Sequence, residues 1–169
     1  MRLNSKHSGL YLHIPYCLHK CGYCDFNSHK INTEEMDQYV EALIREIDTY
    51  SQSSGPTSGK IIETIFFGGG TPTTLPVKSL ARILETCRDR FPLSPDCEVT
   101  LEANPATILK DELKDLRSAG FNRLSVGVQS FHKKDLDLLE RVHSVEEIYL
   151  TLDRAREAGF DNLSIDLMF

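Results

Sequence analysis

Ala119-Gly120-Phe121-Asn122-Arg123-Leu124-Ser125-Val126 recurs thirty-nine positions later as Ala158-Gly159-Phe160-Asp161-Asn162-Leu163-Ser164-Ile165. In each copy a Gly-Phe pair leads into a strand-like run, and the interval is that of one strand-plus-helix unit. Such units stack with right-handed crossovers, so a row of them makes either an open doubly wound sheet or part of a barrel.

Outward from the repeat, apolar runs and amphipathic runs alternate along the whole chain, the mark of βα units feeding a parallel sheet. Five strands are expected, at residues 9–14, 61–67, 97–103, 123–129 and 162–169. Pro15 stops the first, three glycines stop the second, and Asn104-Pro105 ends the third. Between them Met36, Tyr39, Val40, Leu43, Ile47 and Tyr50 recur at helical spacing behind an Asn32/Glu35 capping box. Leu80, Ile83, Leu84 and Cys87 mark a second helix, and Leu109, Leu113 and Leu116 a third. A Ser144/Glu147 capping box opens a fourth, which carries Ile148, Leu152 and Ala155. The Ser/Gly-rich stretch 51–59 reads as a surface loop within a crossover. A closed barrel needs ~200 residues or more. The expectation is therefore an α/β chain of five βα units, the N-terminal part of a partial (β/α) barrel domain spanning 1–169 and cut inside its fifth strand.

Composition bounds the function. The 169 residues are 40% hydrophobic, the level of a folded domain and not of a disordered tail. Nineteen Lys+Arg against 25 Asp+Glu leave a formal charge of −6, which argues against a general phosphate-backbone binder, so no nucleic-acid partner is expected. No apolar stretch approaches the ~20 residues of a membrane span, and the N-terminus lacks the apolar core of a secretory signal. A cytoplasmic protein is expected. Five cysteines are an odd number, and three of them, Cys17, Cys21 and Cys24, fall within eight residues. In a reducing compartment they read as metal ligands and not as a disulfide framework.

Cys17-x-x-x-Cys21-x-x-Cys24 puts three soft thiolates on a short loop directly after the first strand, a donor set for iron–sulfur clusters, zinc or copper(I). Structural zinc takes four ligands, which His19 or His29 could complete, so a zinc-binding structural module is one reading. On a cubane of four irons, three thiolates leave one iron open to a small molecule. Gly68-Gly69-Gly70 after a buried strand suits a backbone nest for a carboxylate or simply a tight turn. Glu102, at the end of the third strand, is placed to accept two ribose hydroxyls or to be a solvated strand end. Gln129 and Asp166 are polar residues in apolar runs, open to a ligand role or to an interior hydrogen bond. These features all lie at or just past the C-terminal ends of successive strands, the face on which parallel α/β folds bind ligands. His13 reads as a core histidine, and Lys133, Lys134 and the run from Asp135 to Glu140 as solvated helix charges. Tyr16, Tyr23 and Phe26 bracket the cysteine loop and would shield it from water.

The cysteine spacing after a strand resembles that of the radical S-adenosylmethionine (SAM) enzymes. The surrounding Tyr11-Leu12-His13-Ile14-Pro15-Tyr16-Cys17 and Cys21-Gly22-Tyr23-Cys24-Asp25-Phe26-Asn27-Ser28-His29 look like the coproporphyrinogen III dehydrogenase family, and within it the haem-chaperone branch. The likeness continues through Phe67-Gly68-Gly69-Gly70-Thr71-Pro72, Glu102-Ala103-Asn104-Pro105, Ser125-Val126-Gly127-Val128-Gln129-Ser130-Phe131 and Asp166-Leu167. It implies a [4Fe–4S] cluster on Cys17, Cys21 and Cys24, with Tyr11, Tyr23, Gly69 and Glu102 contacting SAM. Gly70, Thr71, Gln129, Arg141 and Asp166 stand where the dehydrogenase holds a second SAM, Arg141 is assigned on the resemblance alone, and the resemblance sets a placement of His13 near the cofactor against its core reading. The family fragments SAM with an electron from an external donor to make a 5′-deoxyadenosyl radical, which in the dehydrogenase takes hydrogen from a porphyrinogen propionate. The chaperone branch instead binds haem and passes it to an acceptor protein. Two departures from the dehydrogenase pattern favour that branch: Tyr23 and Phe26 replace a Phe and a Cys, and only eight residues precede Gly9. No catalytic residue is assigned.

Overall fold

The structure is a computed structural model that describes residues 7–52 and 59–169; most of the expected surface loop at 51–59 and the first six residues lie outside them. β1 (His7–Ile14) leads into a cysteine-bearing loop with a small parallel pair, β2 (Tyr16–Cys17) and β3 (His29–Lys30). There follow α1 (Thr33–Tyr50), β4 (Ile61–Gly69), α2 (Val77–Arg90), β5 (Leu93–Ala103) and α3 (Lys110–Ala119). The described chain then runs through β6 (Arg123–Gln129), α4 (Lys133–Leu138), α5 (Val145–Glu157) and β7 (Asn162–Leu167).

The five long strands form one parallel sheet in the order β1-β4-β5-β6-β7. A doubly wound sheet reverses its order at a switch point so that helices cover both faces. Here there is no reversal. Right-handed crossovers then stack the helices along one face, α1 against α2, α2 against α3 and α3 against α5, which is the outer ring of a barrel. Strand burial agrees: Leu12, Ile14, Ile65, Phe67, Val99, Leu101, Leu124, Val126 and Val128 are buried toward the helices. The alternate positions face the other way; apart from Phe66, against which Tyr11 stacks, and the glycines, they are mostly polar. Arg123 donates to Thr100 Oγ1 (3.1 Å) and Ser164 Oγ (2.9 Å), Ser164 to Ser125 Oγ (2.9 Å), and Ser125 to the Asp166 carboxylate (3.2 Å). Such a lining belongs to a barrel interior.

The repeat works as a helix stop followed by a core anchor. Gly120 (φ 104°) and Gly159 (φ 90°) take the left-handed conformation that L side chains avoid. Phe121 N–H then reaches Leu116 O (3.2 Å) and Phe160 N–H reaches Ala155 O (3.0 Å), satisfying carbonyls the ending helices leave open. Both rings are fully buried.

Local expectations fared unevenly. The Ser144/Glu147 box forms in both directions, at 3.2 and 2.7 Å. Asn32 instead caps α1 through Glu34 N–H (3.2 Å), one position short of the expected register. The third strand begins at Leu93 and not at 97; residues 94–97 leave the ladder between the Ile62–Leu93 and Thr64–Glu98 pairs, which accommodates Pro95 and its missing N–H. The fifth ends at Leu167, with Met168 N–H bonded to Gln129 O (2.9 Å).

Candidate functional site

Pro15 stops β1 and the cysteine loop begins. Cys17 and Cys21 are buried and Cys24 half-buried, all three as free thiols. The loop is closed by His29 N–H to Pro15 O (2.8 Å) and Ile31 N–H to Cys17 O (3.0 Å), and internally by Cys24 N–H to Cys21 O (3.0 Å). Lys20 staples it, its ammonium donating to Ser28 O (2.7 Å) and Phe26 O (3.2 Å). His13 is not a core histidine. Half-exposed on the concave side, it holds the Asn27 carbonyl through Nε2 (2.8 Å), and its Nδ1 pairs with Tyr11 OH (3.1 Å). Those partners select the Nε2–H tautomer.

The glycines at the end of β4 have a different purpose from the expected anion nest. Gly69 N–H donates to Glu102 Oε2 (3.1 Å), Gly70 N–H to Ile14 O (2.8 Å) and Thr71 N–H to Tyr16 O (2.7 Å), so these donors are already engaged. What they provide is close approach. A Cβ on Gly70 would lie 2.7 Å from Tyr16 O and 2.9 Å from Cys17 Sγ, and one on Gly69 (φ 120°) 2.7 Å from the His13 ring. Only glycine lets the strand end press against the cysteine loop. Thr71 Oγ1 reaches Cys17 Sγ at 3.7 Å.

Around this loop the next strand ends and connections build a wall. Burial pushes the Glu102 carboxyl above the usual carboxylate range, and the Gly69 N–H bond opposes that rise. Asp166 is held by Ser125, and Gln129 sits in the left-handed region at φ 67°. Arg141 reaches over the loop: Nη2 donates to Gly127 O (3.0 Å), while Nη1 faces Tyr23 OH (3.4 Å) and Cys21 Sγ (3.8 Å). Its Nε is buried without a partner. Buried His143 bridges Asn104 Oδ1 (3.0 Å) and Val128 O (3.1 Å), with burial lowering its pKa.

Cys17, Cys21, Cys24, Tyr23, Gly70, Thr71, Glu102, Gln129, Arg141 and Asp166 line a single cavity of about 420 Å³. Tyr11 and Gly69 do not reach its wall: Tyr11 is 60% exposed, with its ring stacked on Phe66, and Gly69 lies behind Glu102 and His13. Of the expected aromatic shield, Tyr23 and Phe26 line the cavity. Tyr16 turns underneath the loop instead, against the edges of His29 and Tyr39. The donor set fits a cubane. Among the described residues no three His, Cys, Asp or Glu side chains converge on one ion, as a mononuclear zinc site asks, whereas a cubane spreads its three thiolates over separate irons. His19 faces Glu140 and His29 packs on Tyr16. Sequence reasoning passed over Lys20 and His143, gave Ser125 no role beyond a motif, and read Glu140 as a solvated helix charge, whereas it bonds Gly22 N–H of the cysteine loop; these roles come from contacts between distant segments that no local pattern announces.

Three cysteine thiols on the loop after the first strand of a parallel half-barrel thus share one cavity with a polar wall built from the following strand ends. Residues 11–169 match the family model of the Radical SAM superfamily, and the chain belongs to that superfamily. The family as a whole binds a [4Fe–4S] cluster and SAM. The chain is 43% identical over 161 residues to the heme chaperone HemW of Bacillus subtilis, covering 94% of this chain and 41% of that protein. It is 39% identical over 163 residues to the oxygen-independent coproporphyrinogen III oxidase of Escherichia coli, covering 95% of this chain and 35% of that one. The solved structure of coproporphyrinogen III oxidase (HemN) from Escherichia coli matches with a TM-score of 0.85 at 37% identity, over 95% of this chain and 37% of that one. The chain thus spans about two fifths of the length of the curated relatives it matches. No helix among the described residues is long and apolar enough to cross a membrane.

Proposed function

We propose that this chain is the cluster- and SAM-binding part of a haem chaperone of the HemW type, which binds haem and hands it to an acceptor protein. The observation that carries the reading is Phe26, an aromatic ring 67% exposed on the cavity wall where the dehydrogenase pattern has a cysteine. The 43% identity to a heme chaperone supports it. In this reading Cys17, Cys21 and Cys24 hold the cluster, which with SAM supplies one-electron, radical-initiating chemistry when an electron donor reduces it. Glu102 takes the SAM ribose and Tyr23 lines the cofactor cavity, while Tyr11 and Gly69 stand behind the wall, Gly69 holding Glu102 through its N–H. Gly70, Thr71, Gln129, Arg141 and Asp166 form the polar wall that a second SAM would meet. The protein works in a reducing compartment, the cytoplasm, where its thiols stay available to metal.

The second reading, a coproporphyrinogen III dehydrogenase, is favoured by the TM-score of 0.85 to that enzyme. The two separate in one experiment, in which the protein carrying this chain is supplied anaerobically with reductant, SAM and coproporphyrinogen III beside a haem titration. Saturable haem binding without porphyrinogen turnover is expected. Protoporphyrinogen formation at ~1 s⁻¹ or more would establish the enzyme instead.

Glu102 gives a sharper test of the site. A carboxylate whose pKa is raised in the folded state is less stable charged than it would be in water, so its protonated form favours folding and that advantage is lost as pH rises through the raised pKa. Glu102→Gln keeps an oxygen for Gly69 N–H and removes the charge. The empty protein should therefore melt slightly higher at pH 7, while SAM binding weakens by ~1.5–3 kcal/mol through the loss of charged hydrogen bonds. Calorimetric titration checks it, and unchanged SAM affinity would remove Glu102 from the site.

A further inference from the structure

The turn after α4 carries a conformation that its sequence does not favour. Glu140 adopts φ 51°, in the left-handed region that suits glycine and that other L residues rarely adopt. The helix end holds this conformation through Glu140 N–H to Asp137 O (3.2 Å) and Arg141 N–H to Leu136 O (2.9 Å), and it turns the Glu140 side chain and carbonyl onto the cysteine loop. Glu140 Oε2 accepts from Gly22 N–H at 3.0 Å and lies 3.4 Å from His19 Nε2. The Glu140 carbonyl accepts from the Cys21 thiol at 3.7 Å. A Cβ on Gly22 would lie 3.2 Å from Glu140 Oε1, so the carboxylate rests directly on the loop backbone between Cys21 and Cys24. The next residue, Arg141, faces Cys21 Sγ and Tyr23 OH from the same turn.

We propose that Glu140 is a positioning residue that clamps the Cys21–Cys24 segment for cluster binding and sets a low cluster potential through its charge. The inference rests on the cluster reading above and deepens it. With Cys21 as a cluster ligand its sulfur would no longer donate to the Glu140 carbonyl, so the Gly22–carboxylate bond would be the hold that Glu140 keeps on the loop. That bond is charge-assisted and roughly twice as strong as a neutral one. A carboxylate beside the loop also disfavours the electron added when a cluster is reduced, one of the ways a protein tunes such a potential.

Two variants separate this role from a merely structural one. Glu140→Gly relieves the backbone strain and removes the clamp; Glu140→Gln keeps an acceptor for Gly22 N–H and removes only the charge. The chain, reconstituted anaerobically, would be followed for cluster loss to an iron chelator, for midpoint potential and for thermal melting of the cluster-free form. Glu140→Gly is expected to melt no lower than the parent when cluster-free, yet to lose its cluster about tenfold faster or more. Glu140→Gln should retain its cluster nearly as the parent does, and both variants should show a raised potential. Cluster loss from Glu140→Gly at the parental rate, or unshifted potentials in both variants, would overturn the proposal. A parent chain that takes up no iron and sulfide at all would overturn the cluster reading itself, and the clamp with it.

Discussion

Replacing Cys17, Cys21 or Cys24 singly with Ala is expected to abolish the visible absorption of the anaerobically reconstituted protein. In the proposed cluster each thiolate would hold a separate iron, and among the described residues no other donor stands ready to replace one. His19 is engaged with Glu140 and His29 packs on Tyr16, and Cys87 and Cys97 belong to α2 and to the bulge in β5. Burial raises both of those thiols, Cys87 to about 12, so neither offers a thiolate near neutral pH. The fold should survive each change, because the loop is closed by backbone bonds and by Lys20, which the substitutions leave in place. Circular dichroism unchanged from the parent, with iron and sulfide lost, is the expected pair of observations. Full cluster content in any single variant would remove that cysteine from the ligand set.

The second large effect falls on the fold. Phe121 has no exposed surface, and its ring meets Phe67 edge-to-face at a centroid distance of 5.0 Å. Truncation leaves a cavity at the place where α3 ends and β6 begins, and the αL glycine before it keeps the backbone from collapsing into the gap. Phe121→Ala should cost roughly 3–5 kcal/mol, the range for large-to-small changes in a closed core, lowering the melting temperature by roughly 2–4 °C per kcal/mol for a chain of this size. Chemical denaturation measures it directly. A loss under about 1 kcal/mol would mean that the ring anchors nothing.

These two results concern parts of the molecule that the sequence makes legible in different ways. The repeat could be read because a helix stop, a core anchor and a strand are local, and each copy writes them in eight consecutive residues. Strand order followed from the same locality, since successive βα units pair with their neighbours. The cysteine loop was legible from its spacing, and the strand-end polar residues from their misfit with apolar runs. The glycines were misread as a free anion nest because a sequence shows that a side chain is missing but not what presses into the vacated space; here it is the Tyr16 carbonyl and the Cys17 sulfur. His13 was misread for the same reason, as its partners Asn27 and Tyr11 flank it from a loop and a strand face. Glu140 reads in the sequence as the last of a run of solvated helix charges, and its bonds to the cysteine loop correct that. Its left-handed backbone runs against its residue type, and its partners stand 118 to 121 positions away.

The central claim, that this half-barrel holds an iron–sulfur cluster on three thiolates, is tested most directly by the metal and acid-labile sulfide content of anaerobically prepared protein. The account predicts about four irons and about four sulfides per chain, lost together when any of Cys17, Cys21 and Cys24 is replaced. A single zinc per chain with no sulfide would contradict it.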